Sequence, residues 1–385
     1  MDTVKSTFTD TTAAPEGAAL SGERTVKVNK SGFNKQNLAG WLMAFPAFSL
    51  ITLFLVIPFL LAFILSFTNQ RLMSPNETEW VGLDNFQDML GLSTFVLEPE
   101  RDVSGAVVVE DGETQFPRLR QFTRNNPDYP NLDGKRRWLT LPWFNDSQFV
   151  VLASDVVFMK ALVNTVLFVS IVAPTQAFIA LLLALMINQK LRGVNVFRAI
   201  YFMPVVISIV VISFLWRFIY DGENGLLNSL LQFVTFGAFK PVDWLGNPDT
   251  ALGSIMAMSI WQAVGFHMVI WLSGLQTIPK ELYEAATQLG ANGWQTFRYV
   301  TWPGLRNTAI LVMVVITMQA FALFAQVDVM TRGGPLDSTQ TLVYQAVQRG
   351  YGKQDIAGGS ALSVVLFVFV LAISLFQRYL TREKN

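Results

Sequence analysis

The sequence predicts an all-α polytopic membrane protein with six transmembrane helices and a small β-containing insertion outside the membrane. Of its 385 residues, 52% are hydrophobic and 15% are charged, whereas soluble proteins carry about 25% charged residues. Six charge-free runs of at least 18 residues divide the chain, and about 20 apolar residues are enough for one helix to cross a bilayer. Lys and Arg balance Asp and Glu at 28 each, so we expect no nucleic-acid partner.

The first span is predicted at residues 38–70, after a tail at residues 1–37 whose polar composition favours disorder. Pro46 and Pro58 are expected to kink this span. The other charge-free runs cover residues 161–189, 199–216, 250–279, 307–327 and 356–377. Residues 161–380 therefore form a predicted five-span core, followed by a short tail at 381–385. A shorter run at 224–239 contains two amides, Asn228 and Gln232, which favours a helix lying at the membrane surface.

Basic residues near the short loops predict that both termini lie in the cytoplasm. This orientation gives the cytoplasmic side fourteen Lys and Arg and leaves five beside the short outer loops, in agreement with the positive-inside rule. The loop at residues 278–303 is then cytoplasmic, and the long loop at residues 71–160 is external.

The long external loop, residues 71–160, mixes charged residues with Pro and Trp. Within it, the sequence VVVEDGETQ places Asp-Gly between two runs of strand formers, which is typical of a β-hairpin. We therefore predict a small β-rich insertion. Contact with a soluble partner and simple covering of the outer surface suit this insertion equally well.

The cytoplasmic loop at residues 278–303 predicts two short helices joined by a turn. Pro279 suits a first helical position, Gly290 suits the end of that helix, and Asn292 suits the cap of the next helix. One face of the first helix carries Leu282, Ala285, Ala286 and Leu289, and the second helix carries Trp294, Phe297 and Val300.

This loop resembles the EAA loop in the membrane subunits of binding-protein-dependent ABC importers. Glu-Ala-Ala at 284–286 is followed after three residues by Gly290 and after twelve more by Pro303. The sequence departs from the family pattern at Val300 and Trp302, where the family more often has Ile and Leu. Beyond the fifth run, the residues Thr331, Gly333, Gly334, Pro335 and Thr339 resemble the motif found at this place in the carbohydrate-specific branch of these importers.

The resemblance implies a type I ABC importer-like fold in the bacterial cytoplasmic (inner) membrane. It also implies a second permease subunit, two ATPase subunits, a periplasmic solute-binding protein and a carbohydrate substrate, with membrane lipid around the spans. ATP and Mg would bind the partner ATPase, and this chain would hold no cofactor or metal. The residues expected to couple the ATPase to transport are Leu282, Glu284, Ala285, Ala286, Leu289 and Gly290.

Neutral polar and aromatic residues within the spans are candidates for the substrate pathway. Polar groups inside a membrane usually face a cavity or another helix, and sugars offer apolar faces and hydroxyl rims that suit such a lining. The candidates are Ser208, Gln262, Phe266, His267, Gln319 and Phe321. Helix packing would produce a similar set, and the single histidine is more typical of a hydrogen-bonded packing residue than of a proton relay.

The chain itself is not expected to be an enzyme. Its two Gly-Lys pairs, Gly134-Lys135 and Gly352-Lys353, have no glycine five residues earlier, so neither forms a phosphate-binding loop. The spans also have no acidic or basic residue near their centres of the kind that a stand-alone proton- or sodium-coupled carrier uses. An importer subunit for a non-sugar solute is the principal alternative; a secondary carrier, a membrane enzyme and a structural assembly factor follow it.

Overall fold

The computed structural model describes residues 35–74, 77–103, 105–110, 112–189 and 193–381. Its contacts divide the chain into two compact units, residues 1–57 and 58–385. The predicted disordered tail lies outside the described residues up to residue 34. The predicted C-terminal tail lies outside them from residue 382 onwards.

The described part of the first unit is helical. Helix α1 (Lys35–Ile51) contains Pro46 and continues into a π-helical turn, Thr52–Val56. Trp41, Leu42 and Phe45 expose 62%, 66% and 66% of their surface. Large apolar side chains without protein cover suit contact with lipid.

The next part of the chain contains the strands. Its elements are α2 (Ile57–Leu65), α3 (Asp84–Leu90), β1 (Leu92–Leu97), β2 (Val109–Glu110), β3 (Glu113–Thr114), α4 (Arg120–Thr123), β4 (Arg136–Pro142) and β5 (Gln148–Ala153). Strands β1, β5 and β4 form an antiparallel sheet with β5 in the centre. The pairing of β2 with β3 confirms the predicted hairpin.

The remaining elements form the helical core. They are α5 (Val156–Ile187), α6 (Val194–Val206), α7 (Ile209–Ile219), α8 (Leu226–Val234), α9 (Pro248–Thr277), α10 (Lys280–Gln288), α11 (Gly293–Thr296), α12 (Trp302–Gly304), α13 (Arg306–Phe321), α14 (Ala325–Met330), α15 (Leu342–Val347) and α16 (Ile356–Thr381). Helix α8 occupies the run in which a short surface helix was predicted, and its position relative to the membrane stays a prediction.

Four described helices are long and apolar enough to cross a membrane: Gly40–Leu65, Val156–Ile187, Pro248–Thr277 and Ile356–Tyr379. Two bent pairs bring the number to six if each pair is one span. They are Val194–Val206 with Ile209–Ile219, bent by 97°, and Gly293–Gly304 with Arg306–Phe321, bent by 67°.

The predicted spans at 199–216 and 307–327 are therefore not continuous helices. In the first, Ile207 and Ser208 adopt extended backbone, with ψ of 140° and 132°, which interrupts the ladder of helical hydrogen bonds. In the second, α13 ends at Phe321, and Phe324 has φ of −133° and ψ of −62° before α14 begins.

Helices α5, α9 and α13 form the centre of the core. Helix α5 presents a stripe of small side chains, Ala173, Ala177, Ala180 and Ala184, each no more than 6% exposed. Small residues allow close approach of membrane helices, whose association depends on packing and hydrogen bonds. Close approach lets the indole N–H of Trp271 on α9 donate to the carbonyl oxygen of Ala177 at 3.1 Å.

An ion-pair network joins the starts of α5 and α16. Arg349 donates to Asp155 at 3.0 Å and to Asp355 at 2.9 Å. Asp155 also accepts from the backbone N–H of Phe158, and Asp355 from that of Gly358, so both carboxylates cap helix N-termini. This network fixes the ends of two core helices relative to each other.

Candidate functional site

The helical core contains an open cavity of about 610 Å³ between α5, α9, α13 and the break between α6 and α7. Three of the lining side chains are aromatic, namely Phe168, Phe266 and Phe324. The polar lining consists of Gln176, Ser259, Gln262, Gln319 and Gln326. None of the described lining residues is charged.

Helical periodicity explains how α9 contributes to this cavity. Ser259, Gln262, Ala263 and Phe266 lie at i, i+3, i+4 and i+7 and so share one face. Ser259 is 7% exposed, and its Oγ has no hydrogen-bond partner within the described structure. A buried hydroxyl without a partner is costly unless a ligand or water satisfies it.

The structure brings together three of the six residues predicted for the pathway. Gln262, Phe266 and Gln319 line the cavity. Ser208, His267 and Phe321 do not line it: Ser208 is an exposed residue at the start of α7, and His267 and Phe321 are only 0% and 3% exposed. A role in transport stays a prediction for all six.

Sequence reasoning did not select three polar members of the cavity lining, Gln176, Ser259 and Gln326. Gln176 is 3% exposed and lies on α5, and Ser259 lies three residues before Gln262 on α9. Gln176 was visible as an amide within an apolar span. Its inward direction depends on the rotation of α5 against α9, which the sequence alone does not specify.

Beyond the cavity, Phe324 stacks on Tyr344 with ring centroids 6.1 Å apart. Burial, followed by the negative charge of Asp328, raises the pKa of Tyr344, while Arg332 lowers it. A raised phenol pKa keeps this side chain neutral at physiological pH. Tyr344 therefore adds no charge of its own beside Phe324.

The predicted helix-turn-helix is present in the 278–303 loop. Gly290 adopts φ of +73° after α10, a conformation that favours glycine. Its N–H donates to Thr287 O, and the Ala291 N–H donates to Ala286 O, both at 3.0 Å. These two bonds form a Schellman motif. Asn292 caps α11 in a capping box with Gln295, as its position predicted.

Two details of this loop differ from the prediction. Pro279 precedes α10 as its N-cap residue, with ψ of 134°, because the extended turn after α9 continues through it. Ala286 is 9% exposed and faces the chain itself, beside Tyr283, whose hydroxyl lies 3.2 Å from that of Thr301. The first helix thus rests on its own protein through the Tyr283–Ala286 side.

The outward side of α10 carries the other predicted coupling residues. Leu282 and Leu289 are 49% and 86% exposed, and Glu284 and Ala285 are also exposed. Nearby, Trp294 is 71% exposed. Exposed apolar side chains next to a carboxylate are typical of a protein-binding surface. The coupling role of this surface stays a prediction.

The glycine-proline turn after α14 is closed by hydroxyl groups. The hydroxyls of Thr331 and Thr339 lie 2.7 Å apart, and Thr339 donates to Gly334 O at 2.7 Å. Asn164 on α5 donates to Gln340 O at 3.1 Å. The turn is therefore anchored to the core.

Comparison with known proteins decides the family. Residues 156–384 match the model of the family described as "Binding-protein-dependent transport system inner membrane component". The chain belongs to this family. The permease is therefore a multi-pass inner-membrane component of a transport system, as its loop motif predicted. The matched region begins at the first residue of α5.

Several relatives of the permease carry descriptive names. A probable ABC transporter permease protein, YurN of Bacillus subtilis, is 36% identical over 231 residues, covering 60% of this chain and 79% of the relative. The trehalose/maltose transport system permease protein MalF of Thermococcus litoralis is 32% identical, covering 55% and 70%. The lactose transport system permease protein LacF of Rhizobium radiobacter is 32% identical, covering 65% and 84%.

Solved structures resemble the permease in fold. A chain of a bacterial ABC transporter involved in the import of the acidic polysaccharide alginate aligns with a TM-score of 0.64 and 18% identity, covering 91% of this chain and 97% of that chain. A chain from an alginate ABC transporter in complex with a pentasaccharide-bound periplasmic protein aligns with a TM-score of 0.54 and 23% identity, covering 58% and 78%. The predicted importer-like fold is confirmed.

Proposed function

We propose that the permease provides the path by which a neutral carbohydrate crosses the inner membrane, through the cavity between α5, α9 and α13. The observation that carries this proposal is the lining itself, in which amides, one hydroxyl and three aromatic rings surround the space without a charge. Aromatic rings can cover the apolar face of a sugar. Neutral amides can exchange hydrogen bonds with its hydroxyls in both directions.

Size and relatives support the same class of solute. A cavity of about 610 Å³ lies within the range of about 300–1,000 Å³ typical of small-molecule sites. The named relatives include transport permeases for trehalose and maltose, for lactose, and for xylose and arabinose. These solutes share neutral hydroxyl groups, which the lining can bind.

The energy for transport comes from other subunits in this proposal. The exposed side of α10, with Leu282, Glu284, Ala285 and Leu289, would bind an ATPase subunit on the cytoplasmic side of the membrane. Two ATPases, a second permease subunit and a soluble solute-binding protein would complete the importer. ATP and Mg would bind the ATPases, and both termini of the permease would lie in the cytoplasm.

Uptake by the assembled transporter in lipid vesicles tests the proposed solute class. Radiolabelled maltose, lactose and xylose, each with the soluble binding protein, would be compared with glucuronate and alanine. We expect ATP-dependent uptake of at least one neutral sugar and no uptake of the anion glucuronate or of the zwitterion alanine. Uptake confined to glucuronate or alanine would refute the proposal.

Substitution of one cavity residue tests the assigned path. Gln319→Met removes an amide from the lining at similar volume, and Met318→Leu changes its neighbour, which does not line the cavity. Loss of a neutral hydrogen bond of about 0.5–1.5 kcal/mol corresponds to roughly a 2- to 12-fold effect. We expect sugar uptake to fall within that range for Gln319→Met and to stay unchanged for Met318→Leu. Equal uptake by the two variants would contradict the cavity assignment.

A further inference from the structure

The single histidine of the chain lies directly behind the cavity wall. His267 on α9 is 0% exposed, and its Nδ1 lies 2.7 Å from the amide Nε2 of Gln176 and 2.9 Å from the carbonyl oxygen of Ala263. Gln176 and Ala263 both line the cavity. Nε2 of His267 is buried and has no hydrogen-bond partner within the described structure.

These contacts decide which ring nitrogen carries the proton. A proton on Nε2 would be a buried N–H without an acceptor, and Nδ1 would then direct its lone pair at Ala263 O. A proton on Nδ1 is donated to Ala263 O, and only a lone pair at Nε2 is left unmatched. Orphaned N–H donors in protein interiors are rarer than under-satisfied acceptors. A doubly protonated ring would also leave the Nε2 proton buried without an acceptor. The proton therefore belongs on Nδ1.

The protonated Nδ1 in turn orients the Gln176 amide. Two N–H groups cannot face each other across 2.7 Å, and the two ends of a glutamine amide occupy nearly the same space. The amide therefore turns its oxygen to Nδ1, so that the Nδ1–H group donates a shared hydrogen bond to Ala263 O and to the Gln176 amide oxygen. Its amino group then faces the cavity as a donor.

We propose that His267 is a positioning residue that holds Gln176 with its amino group directed into the cavity, where it donates a hydrogen bond to a hydroxyl oxygen of the transported carbohydrate. This inference rests on the proposed function of the cavity. It assigns Gln176 a part in solute selection and gives His267 an indirect part, through the Gln176 amide.

Nitrogen NMR tests the positioning step without any substrate. The full-length chain, labelled with ¹⁵N-histidine and purified through a tag free of histidine, would be placed in lipid nanodiscs. Since the chain has one histidine, each imidazole nitrogen gives one signal. We expect a protonated Nδ1 and an unprotonated Nε2, and a shift of the Nδ1 signal in Gln176→Met. A proton on Nε2, or an Nδ1 signal that ignores Gln176→Met, would overturn the inference.

A double-substitution cycle tests the effect on transport. The measured quantity is the initial rate at which the assembled transporter takes up maltose, lactose or xylose. We expect Gln176→Met and His267→Phe each to reduce uptake about 3- to 10-fold. The double variant should be no worse than Gln176→Met, because His267 acts through that amide. His267→Asn, whose amide reaches the place of Nδ1, should restore most of the uptake lost in His267→Phe. The control Met258→Leu changes a fully buried α9 residue away from the cavity and should have no effect.

Additive losses, or no recovery with His267→Asn, would refute the positioning role. Failure of the proposed function has a different signature. If Gln319→Met and Gln176→Met both leave sugar uptake unchanged, the cavity is not the path, whereas the NMR result still reports on the contact between His267 and Gln176.

Discussion

Replacement of Gly265 by alanine should separate α6 from α9 next to the cavity. A Cβ at this buried position would lie 1.9 Å from the carbonyl oxygen of Tyr201 and 2.7 Å from its carbonyl carbon. An ordinary C···O contact is about 3.3 Å or longer, so α6 has to move by roughly 1.4 Å. The obstacle is backbone, which cannot turn away as a side chain can. Overpacking of this kind costs about 1–3 kcal/mol, and we expect the upper end of that range.

A matched control is available on the same helix. At Gly253 no atom of the described residues lies within 4 Å of an added Cβ, so Gly253→Ala should be neutral or should stabilise α9 by up to about 1 kcal/mol. The free energy of unfolding of both variants would be measured by detergent titration in mixed micelles. Sugar uptake should fall only for Gly265→Ala, because the neighbouring Phe266 lines the cavity. Equal unfolding free energies for the two variants would show that the close approach of α6 and α9 is not rigid.

Three further predictions concern the 278–303 loop, the orientation and the segment around Asn228. Gly290→Pro cannot keep φ of +73°, so it should abolish ATP-dependent uptake by vesicles while the chain still inserts into the membrane. The control Gly293→Ala, whose added Cβ meets no atom of the described residues within 4 Å, should transport normally. Normal uptake by Gly290→Pro would contradict the coupling role. The chain has no cysteine, so a single introduced cysteine reports which side of the membrane it faces. Leu289 is 86% exposed and Phe144 is 77% exposed; Leu289→Cys should react with a membrane-impermeant maleimide only from the cytoplasmic side, and Phe144→Cys only from outside. The reverse pattern would refute the orientation. Asn228 is 1% exposed, and five hydrogen bonds join its amide to described residues between Asp221 and Trp244. Asn228→Ala should therefore lower the free energy of unfolding by about 2–3 kcal/mol. Unchanged thermal melting would show that these bonds do not stabilise this segment.

Local signals made the 278–303 loop predictable. The positive φ of Gly290 and the cap formed by Asn292 depend on residues within one or two turns. The same holds for the β2–β3 hairpin, whose place in the chain was predicted from the Asp-Gly pair in the sequence. Such features can be predicted because few distant contacts act on them.

The breaks within the spans and the members of the cavity were not predictable in this way. Extended backbone at Ile207 and Ser208 divides a run that is strongly hydrophobic and free of charge, so hydropathy alone counts one straight helix. Gln176 and Ser259 enter the cavity because α5 and α9 pack at a particular rotation. That rotation depends on the alanine stripe of α5 and on the close contact of Gly265 with α6.

The order of elements along the chain places the 278–303 loop between two helices that line the cavity. Helix α9 ends at Thr277 and α13 begins at Arg306, so the loop joins the two helices that supply Gln262 and Gln319 to the cavity lining. The loop is also packed against the core, since Ile278 is buried in the same cluster as Leu275 and Leu305, and Tyr283 and Phe297 pack against that cluster. If a partner displaces α10, the displacement is therefore expected to reach both helices together. Any change in their separation alters the distance between two amides that face the same space.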